Sequence, residues 1–339
     1  MIPEEPVVAV VGATGVVGRE FLQILEERNF PVAELRLYAS GRSAGETLFF
    51  RGRERRVENL AHADFDGVHL VLSSPGASVS REFAPRAVAA GAVVVDNSSA
   101  FRMEPDVPLV VPEVNAEAAR THRGILANPN CSTIQLVAVL WPIHRAFGLK
   151  RVVVSTYQAV SGAGRKAMEE LASQCAAILN QRPIRIEKFP HQIAFNALPQ
   201  IDVFEDGGYT REERKVIRES RKIMGLPDLK ITATAVRVPV MNGHSESVNI
   251  ETERPLTCEA VREVLASAPG VAVVDDPAEA AYPMPILASG RDEVFVGRIR
   301  RDETVDHGVA LWICADNLRK GAALNAIQIA ELLLARSGA

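Results

Sequence analysis

Val7-Val8-Ala9-Val10-Val11-Gly12-Ala13-Thr14-Gly15-Val16-Val17-Gly18 decides the fold of this chain. Pro6 to Val11 is a continuous apolar run, the pattern of a strand buried on both faces. Glycines follow, and then a helical pattern through Phe21, Leu22, Ile24 and Leu25. Strand, glycine-rich turn and helix in that order place the N–H groups of a helix start where a pyrophosphate can sit. Gly12 would allow the tight turn, Gly15 the close approach of the phosphates, and Gly18 the packing of helix on strand. The spacing is GxxGxxG rather than GxGxxG, so the glycine roles are shifted, and a plain tight turn is the alternative. If the turn holds a dinucleotide, its contacts are Gly12, Thr14, Gly15, Val16 and Val17.

Further along, Leu35 to Ala39, Val68 to Ser73 and Ala92 to Val95 read as strands, with a helix over about Ser80 to Ala90. Alternating strands and helices with turns at strand ends predict an α/β domain built on a Rossmann-type, doubly wound parallel sheet. From about Arg151 the texture changes. Arg151 to Val160, Lys230 to Val238, Ser245 to Thr252 and Gly308 to Ala315 are long β-rich segments with few helices between them. They predict an α+β domain with a mixed sheet and helices on one face. A terminal helix is expected over roughly Asn317 to Leu334.

At 339 residues, the chain is too long for one ordinary core. Its formal net charge of -4 is spread along the sequence. Arg51-Gly52-Arg53-Glu54-Arg55-Arg56 is the densest basic stretch, too short to argue for nucleic acid, and reads as a solvated hairpin. The acidic start lacks a signal-peptide pattern, and no apolar run is long enough for a membrane span. The four cysteines are widely spaced, with no CxxC pair, which argues against a disulfide framework and a zinc site; no metal is expected. A reducing cytoplasm is the natural compartment.

The end of the second strand bears on cofactor choice. An NAD site usually places an acidic residue there for the ribose hydroxyls. Tyr38-Ala39-Ser40-Gly41-Arg42-Ser43-Ala44-Gly45 contains none. Ser40, Arg42 and Ser43 could instead hold a 2′-phosphate, which favours NADP over NAD.

Asn128-Pro129-Asn130-Cys131-Ser132-Thr133 runs into the apolar pattern Ile134, Leu136, Val137, Val139, Leu140. A cysteine thus stands at a helix start, where unpaired N–H groups and the helix dipole favour thiolate. It is either a buried structural cysteine or a nucleophile. With a nicotinamide cofactor, a nucleophilic thiolate implies aldehyde oxidation through a thioester, or the reverse. Such chemistry calls for a proton carrier. Of the seven histidines, His244 stands apart in Arg237-Val238-Pro239-Val240-Met241-Asn242-Gly243-His244-Ser245-Glu246. There an arginine on one strand and a histidine opening the next can meet at one end of a sheet.

These residues match a family. The chain resembles the bacterial-type aspartate-semialdehyde dehydrogenases over nearly its whole length. The resemblance rests on Gly12 to Gly18, Asp96 to Arg102 (DNSSAFR), Asn128 to Thr133 (NPNCST), Tyr157 to Gly164 (YQAVSGAG), Phe195-Asn196, Arg237 to Glu246 (RVPVMNGHSE) and Asp316 to Asn325 (DNLRKGAALN). One departure is Ala235, where the family often has cysteine.

The resemblance implies reversible NADP-dependent reduction of L-4-aspartyl phosphate to L-aspartate 4-semialdehyde with release of phosphate, in lysine, threonine and methionine biosynthesis. It implies Cys131 as nucleophile, His244 as acid/base and Gln158 as a positioning residue. Arg237 would pair with the substrate α-carboxylate, and Arg102 and Asn130 would contact phosphate. Glu212 would take the substrate ammonium and Lys215 the phosphate, although Arg211 to Lys222 by itself reads as charged all round and solvated. Ser161, Gly162 and Asn317 would contact the nicotinamide end of NADP. The implied domains are 1–130 with 317–339 for NADP, and 131–316 for catalysis and dimerisation. The partners implied are the small-molecule substrate, phosphate and a second copy of the chain, as a homodimer or a tetramer, with neither nucleic acid nor membrane. Rival readings are an N-acetyl-glutamyl-phosphate reductase-like enzyme, which usually carries NPGCYPT at the cysteine, and a non-catalytic paralogue, which commonly lacks it.

Overall fold

The computed structural model describes residues 2–334; residues 1 and 335–339 of the expected first domain lie outside the described residues. The chain divides into two units, one running to Asn130 and resuming at Ala322, the other formed by Cys131–Gly321. The first unit contains β1 (Val7–Val11), α1 (Val16–Glu27), β2 (Glu34–Ala39), β3 (Thr47–Phe50), β4 (Arg53–Asn59), β5 (Leu70–Ser73), α2 (Ala77–Ala89), β6 (Val93–Asp96), α3 (Pro112–Asn115) and β7 (Ile125–Ala127). The second contains α4 (Cys131–Phe147), β8 (Leu149–Gln158), α5 (Arg165–Leu179), α6 (Arg211–Met224), β9 (Lys230–Arg237), β10 (His244–Thr252), α7 (Cys258–Ala266), β11 (Val271–Val273), α8 (Pro285–Ala288), β12 (Val294–Arg301) and β13 (Gly308–Ala315). A π-helical turn, Arg319–Ala323, leads into α9 (Leu324–Leu334), which belongs to the first unit.

The first unit is built on a seven-stranded sheet in the order β3-β4-β2-β1-β5-β6-β7. Val8 and Val10 point into a core shared with α1 and α9, while Ala9 and Val11 point into a second core with α2. Burial on both faces is why β1 is apolar without alternation. Filling each such valine position contributes on the order of 1.5–3 kcal/mol. The sheet is the expected parallel one, with an added antiparallel strand at one edge, where β3 pairs with β4. Arg51 and Gly52 both have positive φ, 50° and 70°, and close a two-residue hairpin. The basic stretch is that hairpin, and its arginines at 51, 53 and 56 are exposed.

The second unit has a six-stranded mixed sheet in the order β11-β12-β13-β10-β8-β9. The β8–β9 and β11–β12 pairs are parallel and the others antiparallel. Helix α4 is buried nearly all round from Ser132 to Leu140. Strand β12 was not legible in the sequence because its apolar pattern is broken by Gly297 and Arg298 (φ 52°) at a bulge. A Cβ on Gly297 would lie 2.1 Å from the Val274 carbonyl oxygen.

Two helix expectations are corrected. Helix α6 is not solvated all round: it buries Val216, Ile217, Ile223 and Met224, and also Glu212, Glu213 and Glu219. Thr210 caps it in a capping box with Glu213, and Gly225 ends it in the left-handed region. The apolar positions recur at helical spacing between the charges, so the helix is strongly two-faced. The terminal helix begins at Leu324 rather than near Asn317. The Asp316 carboxylate accepts the N–H groups of Leu318 and Arg319 at 2.8 and 3.1 Å, and the Gly321 N–H reaches back five residues to the Asp316 carbonyl. This turn competes locally with an α-helix.

Candidate active site

In the first unit, the Gly12 and Ala13 N–H groups both donate to the Tyr38 carbonyl, at 2.8 and 3.1 Å, tying the turn after β1 to the end of β2. Gly12 has φ 82°, which favours glycine. A Cβ on Gly18 would lie 2.2 Å from the Gly12 carbonyl oxygen, so helix and turn touch only because that side chain is absent. Gly15 is the N-cap of α1, no side chain caps the helix, and its first turn holds no acidic residue. These features fit a pyrophosphate: a cradle that Cβ atoms would fill, facing donors with no carboxylate among them. Ser40, Arg42 and Ser43 form the turn directly after β2, with Ser40 and Arg42 exposed, and no carboxylate ends the strand.

At the same sheet edge, the buried Asp96 carboxylate accepts the hydroxyls of Ser73, Ser80 and Ser98 at 3.0, 2.8 and 2.6 Å. It fixes the loop after β6, from which Arg102 donates to the carbonyls of Asn128 (2.9 Å) and Asn97 (2.7 Å). Arg102 is thus a buried cation set by backbone oxygens, a fixed fork for an anion. Asn130, also buried, closes this unit.

In the second unit, Cys131 opens α4, as the sequence implied. Gln158 ends β8 and Arg237 ends β9, paired in register. His244 begins β10, and strand alternation puts it on the same face as Gln158 and Arg237. The backbone of Ala159 holds two of these groups. Its N–H donates to His244 Nδ1 at 3.0 Å, and its carbonyl accepts from Arg237 Nη1 at 2.7 Å. A Cβ on Gly162 would lie 3.1 Å from both Arg237 Nη1 and His244 Nε2. A Cβ on Gly321 would lie 3.1 Å from the Cys131 Cβ.

From α6, the buried Glu212 accepts from Gln158 Nε2 at 3.1 Å and from Lys215 Nζ at 3.1 Å. Lys215 also binds Asp202 at 3.0 Å. Glu212 and Lys215 therefore join the Gln158–Arg237–His244 face, which their charged local sequence did not reveal. Ser161, on the 3₁₀ turn after β8, bonds Asn317, whose Oδ1 also accepts the Gly243 N–H at 2.9 Å. That contact keys the Asn317 turn to the loop carrying His244.

Burial, then the Arg237 charge, pushes His244 down to about 3, with Glu212 opposing. The ring is neutral, and with Nδ1 accepting from Ala159 its proton sits on Nε2. Burial draws Arg237 below its ordinary value, against the charges of Glu212 and Cys131. Burial works to lower Lys215, but Glu212 and Asp202 outweigh it and hold the ammonium above its ordinary range. A cysteine sulfur at the start of α4, a neutral N–H donor and a guanidinium fork therefore belong to one unit, the kit for acyl transfer through sulfur. Sequence reasoning missed Ala159, Asp202 and Gly321. The first acts through its backbone, and the other two are brought in only by the fold.

None of the four cysteines is in a disulfide. Among the described residues no group of three or more His, Cys, Asp or Glu side chains could hold a metal ion, and no helix is long and apolar enough to cross a membrane.

Comparison with known proteins identifies the family. Family models for the semialdehyde dehydrogenase NAD-binding domain and dimerisation domain match residues 7–122 and 140–320. The chain is 59% identical over 331 residues to the aspartate-semialdehyde dehydrogenase of Aquifex aeolicus, covering 96% of this chain and 97% of that one. It is similar to the crystal structure of aspartate semialdehyde dehydrogenase II complexed with ASA from Vibrio cholerae, with TM-score 0.96, 48% identity and coverage of 98% and 99% of the two chains. It is also similar to the crystal structure of the Candida albicans enzyme with NADP, with TM-score 0.74, 28% identity and coverage of 97% and 98%. The chain belongs to the aspartate-semialdehyde dehydrogenase family.

Proposed function

We infer that this chain is an aspartate-semialdehyde dehydrogenase, reducing L-4-aspartyl phosphate to L-aspartate 4-semialdehyde with NADPH, reversibly and through a thioester on Cys131. The carrying observation is the gathering of Cys131, Gln158, Arg237 and His244 in one unit, with Ala159 holding the last two.

The chain's own residues divide the work as follows. The turn Gly12–Val17 holds the pyrophosphate, and Ser40, Arg42 and Ser43 hold the 2′-phosphate. NADPH supplies the hydride, and NADP⁺ accepts it in reverse. Ser161, Gly162 and Asn317 shape the nicotinamide contact. Arg237 takes the substrate α-carboxylate in a two-pronged grip, and Glu212 takes its ammonium. Arg102, Asn130 and Lys215 bind the phosphate that leaves, or that attacks in reverse. Cys131 Sγ attacks the β-carbonyl carbon, and the phosphate leaves with the C–O bond pair. Gln158, aimed by its bond to Glu212, positions the carbonyl. His244 presents Nε2–H to the carbonyl oxygen as negative charge grows on it. The acid/base role expected from sequence thus narrows to that of a neutral donor.

The first unit is the NADP-binding domain, and the second is the catalytic and dimerisation domain. The homodimer forms across the mixed sheet, on the face opposite Gln158 and His244. There Tyr157 and Trp312 pack with centroids 5.3 Å apart and rings tilted by 40°, and Tyr157 is exposed. The enzyme works in the cytoplasm, in the biosynthesis of lysine, threonine and methionine.

The test is phosphate-dependent NADPH formation with aspartate semialdehyde against N-acetyl-glutamate semialdehyde. The first should be preferred by more than about 100-fold in kcat/KM, the range an Arg–carboxylate and Glu–ammonium grip can provide. Preference for the second would assign the reductase activity instead.

A further inference from the structure

Beneath Cys131 and His244 lies a buried polar pair that the chemistry above does not use. Gln135 is one helical turn along α4 from Cys131 and so lies on the same side of that helix. Glu246 is two residues along β10 from His244 and shares its sheet face. Both side chains are completely buried. Gln135 Nε2 donates to the His244 carbonyl oxygen at 3.4 Å, while its Oε1 has no donor. Neither carboxyl oxygen of Glu246 has a hydrogen-bond partner that meets bonding geometry, and the Gln135 side chain is the polar group close enough to act on it.

A buried carboxyl is costly unless neutral or bonded, and a buried amide oxygen without a donor adds to the cost. Burial pushes the Glu246 carboxyl well above the usual range, which favours its neutral, protonated form. A neutral carboxylic acid has one hydrogen to give, and the Gln135 oxygen lacks one. We propose that Glu246 and Gln135 are positioning residues: Glu246 O–H donates to Gln135 Oε1 while Gln135 Nε2–H donates to the His244 carbonyl. The chain of bonds keys the first turn of α4, which carries Cys131, to the start of β10, which carries His244. The inference rests on the reading of Cys131 and His244 as the reacting groups. An apolar pair would fill the space without a directional link, so register is what the polar pair adds.

Three variants test it: Glu246→Gln, Glu246→Leu and Gln135→Met. The first readout is the infrared difference spectrum of wild type minus Glu246→Gln at neutral pH. It should show the carbonyl stretch of a protonated carboxylic acid, shifted in Gln135→Met. The second is kinetics. Glu246→Gln keeps a donor and should stay within about threefold of wild-type kcat, whereas Glu246→Leu and Gln135→Met should lose about 10- to 100-fold in kcat with KM little changed, the effect of sub-ångström misplacement. The third is iodoacetamide alkylation of Cys131, which should slow in the latter two variants only. The proposal is overturned by absence of the acid band, or by a band unmoved in Gln135→Met. It is equally overturned if Glu246→Gln is as damaged as Glu246→Leu, or if Glu246→Leu melts earlier but turns over and alkylates normally. Should Glu246→Leu not fold, the band and Gln135→Met decide. If the wild type does not act on the aspartyl substrate, the functional reading fails, while the band and the alkylation rates still judge the pair.

Discussion

The Ala159 N–H donates to His244 Nδ1 at 3.0 Å. A protonated ring would bring two N–H groups together at that point, so the contact itself opposes the imidazolium. Burial and Arg237 act in the same direction and bring His244 to about 3. An unfolded histidine protonates near 6.5. Between those values the unfolded chain binds the extra proton, so this group's contribution to stability is complete above pH 6.5 and declines as pH falls toward 3. The slope is about 1.4 kcal/mol per pH unit for one group. Thermal melts of wild type and His244→Asn on the acid side should converge as pH drops. Parallel curves would show that His244 is not held neutral.

Activity carries a second signature of the same bond. A catalyst that works as neutral Nε2–H gives no inflection in kcat near the ordinary histidine value. A wild-type limb near 6.5 that vanishes in His244→Asn would show that the ring titrates during turnover.

Cys131 stands at the first position of α4, and its charge acts on Arg237. Cys131→Ala should lower phosphate-dependent NADPH formation below about a thousandth of wild type, because the covalent route has no substitute. NADP affinity, followed by fluorescence titration, should be unchanged. Turnover above that level would exclude the thioester.

Arg237 and Lys215 are assigned to different anions and should separate kinetically. Arg237→Lys loses the planar fork and should raise KM for aspartate semialdehyde about 10- to 100-fold. Lys215→Met should raise KM for phosphate instead by a similar factor. Substrate-saturation curves for both co-substrates check this. Equal effects of both variants on both constants would merge the two subsites.

Gly162 lies in a 3₁₀ turn without positive φ, so Gly162→Ala tests space and not backbone strain. The new methyl would sit 3.1 Å from Arg237 Nη1 and His244 Nε2. A loss of about 10-fold or more in kcat/KM is expected, with a melting temperature within a few degrees of wild type. Full activity would mean that the substrate carbonyl lies elsewhere.

Much of the site was legible because its members carry chemistry in local motifs. Cys131 was marked by a helix start, and Arg237 and His244 by a strand–turn–strand pattern. Gly12 and Gly18 were marked by spacing, and contact geometry accounts for the glycine at each. Glu212 and Lys215 were obscured by neighbours of like polarity on the outer face of α6. Strand β12 escaped because a bulge interrupts its period, and the start of α9 was misplaced because Asp316 diverts the backbone.

By itself, then, the sequence determined most of the element types and nominated the nucleotide turn and the candidate reactive groups, since strand and helix periods and the needs of a tight turn are written in adjacent residues. Tertiary structure alone decided what state those groups occupy. The neutrality of His244 comes from burial and from an N–H 85 residues away. The grip on Gln158 comes from a glutamate 54 residues away. Burial and distant hydrogen bonds set which protons are held, and neither can be read from a local stretch of chain.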